Sequence, residues 1–269
     1  HTTQSDGNLS PQKTIEAYAA LGYDFLMISD HDHFTPTVDL DACGMVLIPG
    51  NEITAYGPHL LHVCAHRFIG PERDRQRMID DISADGGFSI VCHPNWAEDF
   101  NHCDQAFLEK WTGYAGIEIC NGVTMRAEGY AYATDRWDRL LGAGRHVWGY
   151  ATDDNHEDGD RGNAWCVVQA ETRNVGRVTR ALREGRFYAS TGVVIERIEV
   201  DGLTVKVKTE NAQCLHVYTS HGRRPARIVD SALEFTVPED FPYGYIRIEA
   251  YGPADTRAWT QPFFIDKRD

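Results

Sequence analysis

In five places an apolar run of the chain passes directly into histidines and acids or amides. Phe25-Leu26-Met27-Ile28-Ser29 leads into Asp30-His31-Asp32-His33, and Val46-Leu47-Ile48 into Asn51-Glu52. Ser89-Ile90-Val91-Cys92 leads into His93-Pro94-Asn95, Ile117-Glu118-Ile119 into Cys120-Asn121, and Val147-Trp148-Gly149-Tyr150 into Asp153-Asp154-Asn155-His156. Neutral imidazole and carboxylate together suit Zn, Mn or Fe, whereas the same carboxylates gathered without a cation would repel one another. Several such ligands, with one carboxylate free to bridge, imply more than one ion. A lone histidine at a strand end is more often a hydrogen-bonded surface residue. The metal reading rests on the repetition of one chemistry at strand end after strand end.

The elements that must position these residues are βα units. Ser10-Pro11 supplies an N-cap and first helical residue, Ile15, Tyr18, Ala19 and Leu21 a buried stripe, and Gly22 a stop. Further helices are expected near residues 73–84, 105–111, 127–141 and 175–182. Strands are expected at 25–29, 45–48, 60–65, 88–92, 116–120, 147–150 and 164–169, with 60–65 pairing locally with 45–48. This alternation predicts a parallel sheet. In a parallel α/β barrel the carboxyl ends of the strands converge on one face, so residues far apart in sequence meet in one cleft. Beyond Gly192 the pattern changes to strands at 195–200, 204–209, 215–220, 233–237, 245–251 and 259–265 with no helix between them. Asp201-Gly202 and His221-Gly222 punctuate them as turns. The expected organisation is a barrel over 1–192 followed by a small antiparallel β domain over 193–269.

Composition sets the outer bounds. The 269 residues are 42% hydrophobic and 25% charged, which is globular rather than disordered. No run approaches the roughly 18 apolar residues of a membrane span, and no secretory segment is evident. With 26 Lys and Arg against 40 Asp and Glu, the formal charge of −14 argues against nucleic acid or an anionic membrane as partner. The cysteines at 43, 64, 92, 103, 120, 166 and 214 form an odd set without a CxxC pair, which fits a reduced, cytoplasmic compartment.

The motifs together resemble the PHP (polymerase and histidinol phosphatase) superfamily of metal-dependent phosphoesterases. His1-Thr2-Thr3-Gln4-Ser5-Asp6-Gly7 is similar to the second half of the opening HxH…SDG signature, and Ser29-Asp30-His31-Asp32 to the TDHD motif. Pro49-Gly50-Asn51-Glu52 resembles the segment that delivers a bridging glutamate, Cys92-His93-Pro94-Asn95 the HPN motif, and Thr152-Asp153-Asp154-Asn155-His156 the closing DxH. Leu182-Arg183-Glu184-Gly185-Arg186-Phe187-Tyr188-Ala189-Ser190-Thr191-Gly192 and Ala258-Trp259-Thr260-Gln261-Pro262 resemble the CehA/McbA-like branch, in which a short β domain follows the barrel.

The resemblance implies a distorted (β/α)7 TIM-like barrel with a centre of two or three divalent ions. Glu52 would bridge two ions, the first completed by His1 and Asp154, the second by His93 and a histidine on the strand after Glu52. His62 is the first choice there, because His62-Val63-Cys64-Ala65 resembles the family's H-x-N-A string; His59 is the competitor. Asp6, His31 and His156 would hold the third ion. The family's HxH places another histidine two residues ahead of the position of His1, and the first barrel strand ahead of that, so both are expected upstream.

The implied reaction is hydrolysis of a small phosphate mono- or diester by a metal-bridging hydroxide, with Glu52 and Asp154 at its heart. Three divalent ions would bring about six positive charges, enough to draw an anionic substrate into an acidic protein. Arg126 and Arg161 are candidate phosphate clamps, since guanidinium matches phosphate in a bidentate way. His33 and His102 are further candidate proton donors to the leaving group. One alternative is a metallohydrolase of carbamates or carboxylic esters; another is a non-catalytic, metal-stabilised binding protein.

Overall fold

The computed structural model describes residues 1–265; residues 266–269, the end of the expected second unit, lie outside the described residues. Among the described residues five α-helices are formed: α1 (Pro11–Ala20), α2 (Arg75–Ala84), α3 (Gln105–Lys110), α4 (Thr134–Gly142) and α5 (Val175–Arg183). Side-chain caps from Ser10, Asp74, Asp104 and Asn174 satisfy the first backbone N–H groups of α1, α2, α3 and α5. Helix α4 starts seven residues later than the sequence pattern suggests, because 127–133 run as a loop that bridges Trp96 and Cys120.

Among the described residues seventeen strands make four sheets, and the expected closed parallel barrel does not form. Strands β1 (Phe25–Met27) and β2 (Val46–Ile48) pair in parallel as a small separate sheet. A five-stranded sheet has the order β3 (Gly50–Ile53), β4 (Leu60–Val63), β5 (Phe88–Val91), β6 (Gly116–Asn121), β7 (Trp148–Thr152). Only β5·β6 and β6·β7 are parallel in it; β3·β4 and β4·β5 are antiparallel. Parallel neighbours need a crossover of a dozen or more residues, usually a helix. The link from β3 to β4 is the short stretch 54–59, so that pair can only be a hairpin. The chain also breaks between β2 and β3 at Pro49-Gly50: a Cβ on Gly50 would lie 2.4 Å from Met27 Sδ and 2.6 Å from the His62 carbonyl oxygen.

The remaining strands are β8 (Trp165–Val168), β9 (Phe187–Ser190), β10 (Ile195–Asp201), β11 (Thr204–Thr209), β12 (Cys214–Thr219), β13 (Arg223–Ile228), β14 (Ala232–Thr236), β15 (Tyr245–Tyr251), β16 (Arg257–Thr260) and β17 (Phe263–Phe264). Strands β10, β11 and β14 form one antiparallel sheet. The other runs β13-β12-β15-β16-β9-β8, with β17 beside β15. Ala258, Trp259 and Thr260 of β16 pair with Ser190, Ala189 and Tyr188 of β9, so this sheet crosses the boundary expected at 192/193.

Two features tie this sheet to the strands that carry the candidate site. Trp259 and Tyr245 enter the same apolar core as Ile117, Ile119, Trp137 and Leu140. Arg247 on β15 is buried and grips Asp138 of α4 through both ends of its guanidinium, Nε–Oδ1 at 2.7 Å and Nη2–Oδ2 at 2.8 Å. Glu249 Oε2 takes its third donor at 3.0 Å. Removing one member of a buried pair strands the other charge. We expect Asp138→Ala to cost about 3–5 kcal/mol in urea unfolding, and a loss below about 1 kcal/mol, typical of an exposed pair, would contradict this role.

Candidate metal centre

The residues converge at the ends of β3, β5 and β7 and on the segments after β1 and before α1. The chain continues past β1 alongside β3 at this level: Glu52 N–H donates to the Asp30 carbonyl (3.2 Å) and Asp32 N–H to the Glu52 carbonyl (2.7 Å). That brings His31 beside Glu52. The N-terminal segment folds back on itself, with Gly7 N–H bonded to the Thr2 carbonyl at 3.0 Å. A Cβ on Gly7 would sit 2.5 Å from the His1 carbonyl carbon, so only glycine allows this turn, which places Asp6 across from His31.

Glu52 is the centre of the arrangement, 2% exposed. Its two oxygens face different partners. Oε2 lies 3.2 Å from His1 Nε2, which is itself 2.8 Å from Asp154 Oδ1. Oε1 lies 2.7 Å from His59 Nδ1 and 3.6 Å from His93 Nε2. A third group stands beside the first, where Asp6 Oδ2 is 3.5 Å from His31 Nε2, Asp6 Oδ1 is 3.4 Å from His156 Nε2, and the two Nε2 atoms are 3.5 Å apart. The rings of His31 and His156 lie 4.1 and 4.3 Å from that of His1. His156 Nδ1 meets the Asp154 carbonyl at 2.7 Å, so Nδ1 donates there and Nε2 faces Asp6 and His31.

Of the residues expected to hold metal, His1, Asp6, His31, Glu52, His93, Asp154 and His156 are brought together, and His62 is not. His62 Nε2 instead lies 3.3 Å from Asp85 Oδ2 on the other side of the sheet. The reason is strand periodicity. In the β3·β4 hairpin Glu52 pairs with Leu61, whereas His62 pairs with Asn51, and side chains alternate faces. His59, three residues before His62, falls on the Glu52 side. Its carbonyl accepts the Cys92 N–H at 3.1 Å, which aligns it with His93.

The arginines also divide. Arg126 lines the cavity over the centre, about 440 Å³ in volume, together with Trp96, Val123, Thr124 and Glu128. Its Nη2 is 2.9 Å from Asp160 Oδ2. Arg161 is not among the lining residues; it pairs with Asp158 at 2.8 Å. His33 is exposed and away from the cavity. His102 Nε2 accepts the His59 backbone N–H at 3.1 Å. Burial, then His93 and His59, push His102 down to about 3.

Three acids of the strand-end motifs are anchors rather than ligands. Asp30 accepts Thr2 N–H (2.6 Å), Thr2 Oγ1 (2.8 Å), Ser5 Oγ (2.9 Å) and Thr35 Oγ1, which pins the segment carrying His1 and Asp6. Asp32 accepts Thr54 N–H and Ala55 N–H and fixes the β3–β4 turn. Asp153 collects the Tyr18 hydroxyl and the N–H groups of Gly162, Asn163 and Ala164.

Burial alone would raise the pKa of Glu52, but hydrogen bonds from His1, His59 and His93 hold it well below the usual carboxylate range. Burial works against a charge on His1 and is outweighed by Asp154 and Glu52, so its pKa rises well above 6.5. The same contest, settled by Glu52, Glu118 and Asp154, raises His93 to about 9. Protons on imidazole thus balance the carboxylates where a cation could do so. His1 Nδ1, His31 Nδ1 and His93 Nδ1 are buried without a hydrogen-bond partner. Buried polar atoms are rarely left so. Five imidazoles and three carboxylates gathered within ligand reach of one another fit divalent ions of the Zn, Mn or Fe class.

Two outcomes follow. His59→Ala should weaken Mn2+ or Zn2+ binding by about 10-fold or more, while His62→Ala leaves the metal content unchanged; the reverse pattern, read by elemental analysis, would restore His62 as ligand. Because folding raises His93 from 6.5 to about 9, its proton stabilises the folded chain fully below pH 6.5 and that contribution is lost as pH rises through about 9. Chelator-treated protein should lose thermal stability across this window, and apparent Mn2+ affinity should rise as the ion displaces the proton. A binding constant flat with pH would count against the assignment.

No family model matches the chain, and no curated protein matches it.

Proposed function

We propose that this protein is a metal-dependent phosphoesterase that hydrolyses a small phosphate mono- or diester at a centre of two or three divalent ions. The observation that carries the reading is the division of Glu52, with one oxygen turned to His1 and the other to His59. His1, Glu52 and Asp154 would hold one ion, Glu52, His59 and His93 a second, and Asp6, His31 and His156 a third. Bound there, such ions lower the pKa of water toward about 7 and offset charge building on the phosphoryl oxygens.

The chain's own residues supply orientation and enclosure. Trp96 stands 5.1 Å from the His93 ring and walls one side of the cavity, while Val123 and Thr124 line it on the loop after β6. Arg126 is half exposed, and its Nη1 has no hydrogen-bond partner among the described residues, so it can meet a phosphoryl oxygen at the rim. All seven cysteines are free thiols, which supports a reducing, cytoplasmic setting. Among the described residues no helix is long and apolar enough to cross a membrane. The acidic balance speaks against nucleic acid and anionic membrane as partners.

One observation favours hydrolysis of a carbamate or carboxylic ester instead: Arg126 is already paired with Asp160, and Asp6, Glu128 and Glu157 also line the cavity. A panel of phosphomonoesters, phosphodiesters and aryl carbamates under metal-replete conditions separates the two. We expect turnover of phosphate esters, and Arg126→Ala should lower kcat/KM by about 10–100-fold through loss of a charged hydrogen bond. Turnover confined to carbamates would sink the phosphoesterase reading, and no turnover of any ester would leave a binding protein.

A further inference from the structure

One buried carboxylate outside the proposed ligand sets touches one ligand directly and reaches a second through a single side chain. Glu118 stands in the middle of β6, 3% exposed. Its Oε2 accepts the His93 backbone N–H at 2.6 Å and Asn121 Nδ2 at 3.0 Å, and its Oε1 accepts the Thr152 hydroxyl at 2.6 Å. Asn121 Nδ2 is also 3.1 Å from Asp154 Oδ2, and Asn121 Oδ1 is held by the Thr124 N–H and hydroxyl. Residues three apart on a regular strand face opposite sides. Glu118 and Asn121 share a side because the register with β7 steps at Ile119, from Glu118↔Tyr150 to Cys120↔Ala151. The ends of β5, β6 and β7 therefore meet on one carboxylate.

The two ligands reached in this way are also the two with positive φ, +25° at His93 and +54° at Asp154. Non-glycine residues hold such a backbone only where the surroundings over-determine it. The His93 N–H, the atom that this unusual φ orients, is the one Glu118 takes. Three donors converge on the Glu118 side chain, one from just after β5 and one each from within β6 and β7, and its two oxygens accept all three.

We propose that Glu118 is a positioning residue of the centre: it fixes His93 directly, and Asp154 through Asn121, in the orientation that ligation requires, without being a ligand itself. This rests on the metallohydrolase reading, so its test uses ion binding alone. Chelator-treated wild type, Glu118→Ala and Glu118→Gln are titrated with Co2+, and affinity and the visible ligand-field bands are recorded without substrate. Glu118→Ala should bind about 10–100-fold more weakly with shifted bands. Glu118→Gln, whose amide keeps an oxygen for His93 while the Thr152 hydroxyl turns to accept, should stay within about fivefold of wild type. Should Glu118→Ala not fold, Asn121→Ala, which cuts the link to Asp154, should show weaker binding and shifted bands in its place. Wild-type affinity and bands in the alanine variant that folds would overturn the positioning role alone. Fewer than two Co2+ per wild-type chain would overturn the metal reading together with it.

Discussion

A buried carboxylate that must stay ionised is the constraint on which the rest of the site depends. Glu52 is almost wholly removed from water, and an isolated charge there would be strongly unfavourable. It stays charged because imidazoles approach from both sides, His1 at one oxygen and His59 and His93 at the other. The strand that carries Glu52 is therefore pinned from two directions. Asp32 locks the turn to β4, and the backbone of residues 30–32 pairs with Glu52 itself. If either contact slipped by one residue, strand alternation would turn the carboxylate out of the cluster.

Around that carboxylate the acids divide by function. Asp30, Asp32 and Asp153 gather backbone N–H and hydroxyl donors, and their own charge is met by those donors. Asp6, Glu52 and Asp154 face imidazoles and leave ring nitrogens unsatisfied nearby. This division gives the centre a rigid frame and a charge-rich interior, with the unusual backbone at His93 and Asp154 held by neighbours rather than by local preference. The C-terminal sheet contributes at a distance, through Arg247 and Asp138 beneath α4 and through the pairing of β9 with β16.

Much of the site was legible in the sequence. Apolar runs that end in His, Asp or Glu brought together residues as distant as His1 and Asp154, because strand ends on one side of a sheet lie close whatever the chain does between them. Finer choices depend on parity and connection length. His62 is excluded because it pairs with Asn51, a register that no motif string states. The barrel fails where Glu52 and His59 are joined by a short turn rather than a helix: the local pairing expected of 60–65 forms with Gly50–Ile53 instead of 45–48, which pairs with β1 in a separate sheet. Arg161 could not be told from Arg126 without knowing that its loop turns toward Asp158. Glu118 is marked in the sequence only as a charged residue inside the apolar string GIEIC.

The central claim is that Glu52 joins two ions through its two oxygens. Low-temperature electron paramagnetic resonance of Mn2+-loaded protein tests it directly, because ions sharing a carboxylate are magnetically coupled. The account predicts at least two Mn2+ per chain with a coupled spectrum, and loss of the coupling in Glu52→Gln. One Mn2+ per chain, or an isolated six-line signal unchanged by Glu52→Gln, would contradict it.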